Sequence, residues 1–205
     1  MSLGERIFAR MYDRFTARAE EACLSAHRQA LIAGVQGDVI EIGGGTGANL
    51  PYYSDGVTTL TLTEPSRPMI GRLQRRINEH APVAKLLRAP AEDLPFEDDS
   101  FDVAVSTLVL CSVDDQPRAL KELRRVLRPR GRLLFMEHVR SDEPRLARLQ
   151  DRMNRINNLV AHCDCNRPTL DSIRAAGFSI EKLEHDTIRK APPFLRPLVI
   201  GVAEA

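Results

Sequence analysis

The chain has 205 residues, enough for one domain with a full core, and its 29 basic and 28 acidic residues leave a net charge of +1. That balance excludes a global field for nucleic acid, and no apolar run approaches the roughly 20 residues that span a bilayer. With 43% hydrophobic and 28% charged residues, the composition is that of an ordinary globular protein.

The first residues lack the apolar core and cleavage site of a secretory signal, so a cytoplasmic protein without stable membrane insertion is expected. Cys23, Cys111, Cys163 and Cys165 are then expected as free thiols. His162, Cys163 and Cys165 form only one closely spaced cluster. A zinc framework needs a second ligand pair, so no metal site is expected.

Residues 5–33 carry helical periodicity through Ile7, Met11, Phe15 and Ala19, then Cys23, Leu24, Leu31 and Ile32. Residues 1–34 are read as a helical flank, with Tyr12 and Asp13 as a lid over a ligand. Residues 38–42 are a short buried strand carrying Glu41 near its end, and Gly43, Gly44, Gly45 and Gly47 follow. Such glycines let backbone turn and approach a ligand closely, and residues 48–50 are expected to open a helix behind them. Gly43, Gly45 and Ala48 fit the dinucleotide fingerprint, whereas Glu41, Gly43, Gly45 and Gly47 fit an acidic-x-Gly-x-Gly-x-Gly loop.

Residues 59–63 form a β-branched strand, and Glu64 stands 19 positions after Gly45, where a carboxylate can accept hydrogen bonds from both ribose hydroxyls. Both NAD and S-adenosylmethionine carry that ribose. A basic helix over residues 69–80 and a strand over residues 83–88 follow. Next come the acidic turn before Phe101, a buried strand to Ser106, and a helix over residues 117–127 with Leu120, Leu123, Val126 and Leu127 inward. Residues 128–132 read as a basic turn ahead of a fifth strand over residues 133–138. Alternating strands and helices to this point define a doubly wound α/β sheet, with ligand beyond the carboxyl ends of the first and fourth strands.

The set Glu41-x-Gly43-x-Gly45-x-Gly47, Ala91-Glu92-Asp93-Leu94-Pro95-Phe96, Ser100-Phe101-Asp102-Val103 and Arg128-Pro129-Arg130-Gly131-Arg132 resembles the class I S-adenosylmethionine-dependent methyltransferases. More narrowly it resembles their type 11 branch, over about residues 35–140. The resemblance implies a Rossmann-like three-layer sandwich whose seven-stranded, mostly parallel sheet has one antiparallel strand near the C-terminus. It implies S-adenosyl-L-methionine as cofactor, held by Glu41, the glycines, Glu64 and Pro65. Ala91 and Glu92 would flank the adenine, with Glu92 or Asp93 near its amino group, and Ser106, Thr107 and Leu108 would line the methionine end. The competing reading, an NAD-dependent oxidoreductase, lacks a Tyr-x-x-x-Lys or comparable constellation.

Residues 145–160 place Leu146, Leu149, Met153, Ile156 and Val160 on one helical face, read as an inward-facing cap within residues 141–168. Residues 169–205 close the single domain with a helix and two strands, at 178–183 and 197–203. In this tail Glu137-His138-Val139 and Cys163-x-x-x-Arg167 resemble the methyltransferase-like-seven thiol methyltransferases, from which the chain departs in having no tryptophan and no hydrophobic N-terminal anchor. The acceptor is accordingly a small molecule, first a small or hydrophobic thiol, with amines, phenols and a phospholipid headgroup as alternatives. No Asn/Asp-Pro-Pro-Tyr/Phe element follows the fourth strand, so nucleic acid is not an expected partner. His138 and then His162 are the candidate bases or orienting groups.

Overall fold

A computed structural model describes residues 3–81 and 83–205. The chain opens with α1 (Leu3–Ala19), one π-helical turn (Glu20–Leu24) and α2 (Ser25–Ile32). Strands β1 (Gly37–Glu41) and β2 (Val57–Thr63) follow, then α3 (Arg67–His80), β3 (Lys85–Leu87), β4 (Phe101–Thr107) and α4 (Gln116–Val126). The last part comprises β5 (Leu127–His138), α5 (Pro144–Ala161), α6 (Thr169–Ala175), β6 (Ser179–Thr187) and β7 (Pro197–Glu204).

The seven strands form one sheet in the order β3-β2-β1-β4-β5-β7-β6. Strands β1 to β5 pair in parallel, while β7 runs antiparallel to both its neighbours. It is the single reversed strand that was expected. Val39 and Ile40 show why the central strands carry apolar residues at consecutive positions. Val39 packs with Leu60, Val103, Ile32 and Leu73 on one face, and Ile40 with Ala104, Leu120 and Phe135 on the other. From β1 the chain leaves for β2 on one side, while β4 lies on the other. A crevice therefore opens beyond the carboxyl ends of these strands.

Three local expectations need correction. Phe15 is 68% exposed, whereas Ala19, Cys23, Leu24 and Ile32 are buried. The π turn between them admits an extra residue and rotates the face that meets the sheet. The side chain of Ile7 lies outside the described residues. Residues 128–132 are no free turn but belong to β5, whose register slips between its contacts with Phe101 and Val103. Arg128 there pairs with Asp38 at 3.0 Å and Asp102 at 2.7 Å, stapling the starts of β1 and β4. Finally, no α-helix follows the glycine loop: Ala48 lies in a turn and only a 3-10 turn, Leu50–Tyr52, precedes Gly56.

Helix α5 is rotated relative to its apolar pattern, with Leu146 and Met153 only half-buried. Its buried positions are Ala147, Gln150 and Asn157, while Ile156, Leu159 and Val160 face out at 58–80% exposure and Leu149 at 36%. Gln150 donates to the carbonyls of Val139 and Phe194 and accepts from the Ser141 amide. Asn154 accepts from the Cys165 amide, and Asn157 donates to the Cys163 carbonyl. The helix packs on irregular backbone whose polar groups lack ladder partners, and side-chain amides satisfy them where leucines cannot.

Candidate active site

Beyond β1 the backbone turns through Gly43 and Gly45, both at φ near +56°. A Cβ on Gly43 would stand 2.6 Å from the Val109 side chain, so the loops after β1 and β4 touch there. A Cβ on Gly45 would meet nothing nearer than 3.7 Å and would project into the crevice. Gly44 and Gly47 serve packing instead, since a Cβ on either would strike Leu73 or Leu50.

At the end of β2, Glu64 joins two loops: one carboxylate oxygen accepts from the Gly45 amide at 2.9 Å, the other from the Ser66 amide at 2.8 Å. Burial raises its pKa, and these two amides act in the opposite direction. Gly43, Gly45, Glu64 and Pro65 form one wall of a 680 Å³ cavity, within the range of about 300–1,000 Å³ usual for small-ligand sites. Ala91, Glu92, Leu108, Val109 and Val113 line it as well. One oxygen of Glu92 already accepts from the Asp114 and Asp115 amides, which fixes the loop leading into α4. Asp93, the alternative to Glu92, is exposed and does not line the cavity.

Glu41, Ser106 and Thr107 do not line the cavity; they hold its floor. The Glu41 carboxylate accepts from Asn49 at 3.1 Å and from the Tyr53 hydroxyl at 2.7 Å. Its burial pushes the carboxyl from 4.5 up to about 7, against the pull of Tyr53, Arg28 and Asn49. Asn49 also donates to Thr107, and buried Arg28 donates to Asn49 and Thr107 while pairing with Glu20 at 2.9 Å. Ser106 donates to Glu137 at 2.7 Å, and the same carboxylate oxygen accepts from the Val109 amide at 3.1 Å. Arg28, Asn49 and Tyr53 were missed in the sequence. The signal for Arg28 was a charge midway between Leu24 and Ile32 on the buried face.

Part of the N-terminal segment borders the cavity. Tyr12 lines the cavity, and Asp13 accepts from the Thr46 hydroxyl at 2.6 Å. Burial raises the Tyr12 phenol to about 12, so it stays neutral. The two histidines separate. His162, in the left-handed conformation at the end of α5, lines the cavity, but His138 is buried behind it. His138 Nε2 lies 3.4 Å from the Phe194 carbonyl and Nδ1 lies 3.4 Å from Cys163 Sγ. Cys111 completes the group; hydrogen bonding to Cys163, then burial, push its thiol well above the usual range, while His138 pulls it down. The residues of α5 itself do not line the cavity, so the cap reduces to His162.

A dinucleotide site needs a helix N-terminus facing the pyrophosphate, and the glycine loop here offers none. What remains is a glycine wall, a ribose-competent carboxylate at the end of β2 and the switch-point crevice, the features of a class I methyltransferase. A methyltransferase-domain family matches residues 40–135. Human thiol S-methyltransferase TMT1A is 33% identical over 202 residues, spanning 93% of this chain and 82% of that protein. Mouse TMT1B is 34% identical, spanning 91% and 79%. A Thermotoga maritima structure described as an S-adenosylmethionine-dependent methyltransferase, possibly a histamine N-methyltransferase, superposes with a TM-score of 0.72. It is 25% identical and covers 100% of this chain and 99% of its own. The chain belongs to the class I S-adenosylmethionine-dependent methyltransferases, in their type 11 branch. Among the described residues no helix is long and apolar enough to cross a membrane.

Proposed function

We propose that this enzyme is a small-molecule thiol S-methyltransferase. Gly43, Gly45, Glu64 and Pro65 would hold S-adenosylmethionine on one side, and Ala91, Glu92 and Leu108 on the other. The cofactor supplies an electrophilic methyl group on a sulfonium. The open space beside Gly45 and the buried Glu64 carboxylate fit its ribose and chain. Glu41, Ser106 and Thr107 act as positioning residues beneath this site.

The observation that carries the acceptor is the likeness to thiol S-methyltransferases along 93% of the chain. The acceptor end adds a physical reason. Tyr12 is a phenol held neutral and His138 is withdrawn behind the wall, so of the two candidate bases only His162 reaches the cavity. A thiol with a pKa near 8.5 needs little help to ionise, whereas an alcohol needs much more. The task left to the walls is orientation and exclusion of water, and Tyr12, Leu108 and Val113 supply it. The four cysteines are free, which fits a reducing compartment, and we place the enzyme in the cytoplasm.

Turnover of a thiol panel beside phenols, amines and a phospholipid headgroup tests the reading, with S-adenosylhomocysteine titration reporting the cofactor site. Thiol turnover that rises with pH as the thiolate forms is expected. Inert thiols beside a reactive amine or phenol would overturn the acceptor.

A further inference from the structure

Cys111, His138 and Cys163 come from three separate places: the loop after β4, the end of β5, and the loop after α5. Their ligand atoms all lie within 4.8 Å of one another. Tetrahedral zinc, with bonds of about 2.3 Å to sulfur and about 2.0–2.1 Å to nitrogen, sets its ligand atoms roughly 3.5–3.8 Å apart. The 3.4 Å between His138 Nδ1 and Cys163 Sγ falls just short of that spacing. Only small side-chain rotations are needed for the rest.

Three further observations suit a cation. His138 Nε2 is set to donate to the Phe194 carbonyl, which leaves the Nδ1 lone pair directed at the cysteines; ligating histidines are usually oriented by such a carbonyl. The two cysteine loops are fixed to one another, because the Asp164 amide donates to the Cys111 carbonyl and Asn157 holds the Cys163 carbonyl. Beside them Glu137 is fully buried, and its second carboxylate oxygen has no hydrogen-bond partner. Cys165 stays out of the group, hydrogen-bonded to the Gln150 carbonyl.

The group borders the acceptor end. Val109 and Ser112 flank Cys111, His162 precedes Cys163, and all three line the cavity. We propose that Cys111, His138 and Cys163 bind one thiophilic divalent ion, zinc by this ligand set, with an open fourth position toward the acceptor end. There an acceptor thiol coordinates as its thiolate and releases its proton to water. The ion site stands on geometry alone; its open position rests on the thiol reading above. Three protein ligands with one position free is the arrangement of catalytic rather than structural zinc.

Cobalt(II) titration of the metal-stripped full chain under reducing conditions tests the ion site. Saturation at one equivalent is expected, with thiolate charge-transfer bands and tetrahedral visible bands, and with zinc displacing the cobalt. Cys111→Ser, Cys163→Ser and His138→Ala should each weaken it by more than about 100-fold, beyond the usual cost of losing an outer-shell partner. Cys23→Ser should not. Unchanged S-adenosylhomocysteine affinity certifies that each variant is folded. A wild-type chain without these bands, or bands that persist in a folded Cys163→Ser variant, overturns the site.

Turnover then tests the open position. Stripping the metal should lower thiol turnover at pH 7 by up to about 30-fold, since a free thiol of pKa 8.5 is only about 3% ionised there. Restored zinc should recover it. Equal thiol turnover with and without metal would overturn the open position and leave the thiol function standing. No thiol turnover in either form would defeat the thiol reading, and the cobalt spectrum would then decide the ion site by itself.

Discussion

Glu41 makes the enzyme's stability depend on pH in the direction opposite to most carboxylates. It is 2% exposed, and burial raises it from 4.5 to about 7. Between those two values the native chain keeps a proton that the unfolded chain has released. The folded state therefore binds more protons, and stability falls as pH rises through the window. The slope is about 1.4 kcal/mol per pH unit, so the loss accumulates to about 3 kcal/mol and levels off above pH 7. Glu41→Gln removes the titration while keeping a side chain that can hydrogen-bond Asn49 and Tyr53. Urea unfolding of both proteins from pH 4.5 to 8.5 gives the difference directly. Glu64 and Glu137 are raised as well, but they are present in both chains and cancel. The variant should gain about 3 kcal/mol on wild type across this range. A difference that stays constant between pH 5 and 8 would refute a buried, protonated Glu41.

The glycine wall separates folding from binding: Gly45→Ala meets no protein atom and should cost only the left-handed strain of about 1–2 kcal/mol, yet lose S-adenosylhomocysteine binding in calorimetry. Gly43→Ala drives a Cβ to 2.6 Å from Val109 and should lower the melting temperature further, adding about 1–3 kcal/mol of overpacking. Glu64→Ala should weaken S-adenosylhomocysteine binding by about 1.5–3 kcal/mol, and unchanged affinity in a folded variant would remove Glu64 from the site. Gln150→Leu, which looks favourable by hydropathy, should destabilise by at least about 2 kcal/mol in urea because the Val139 carbonyl and the Ser141 amide lose their partner and the Phe194 carbonyl keeps only His138. Ile156→Ser should stay within about 0.5 kcal/mol of wild type by the same measurement, as befits a solvent-facing side chain.

The sheet was legible because parallel strands buried on both faces read as apolar or β-branched runs, as Val39-Ile40 before Glu41, the Thr-Leu alternation of residues 59–63 and Leu133 to Met136 do. Glu64 was legible because distance along the chain fixes where the second parallel strand ends. The division of labour among the glycines was not. Gly43 and Gly44 are neighbours of the same type, and only the positions of Val109 and Leu73 decide which one faces the crevice. Cys111 was equally hidden, since it lies 27 residues before His138 and 52 before Cys163 and joins them only once β4 and β5 are paired.

Helix α5 shows a limit of a different kind. Its periodicity was real, and the helix forms where the pattern placed it. The pattern, however, names two faces without saying which one is buried. Burial normally selects the apolar face because the partner surface is apolar. Here the partner is the backbone of residues 139–141, 163–165 and 194, whose carbonyls and amides bond the α5 side-chain amides. An unpaired backbone group costs about 1–3 kcal/mol, comparable to burying a whole leucine. The Val139 carbonyl and the Ser141 amide, both held by Gln150, therefore outweigh the gain from turning Leu149 inward, and the amide face is the one that docks.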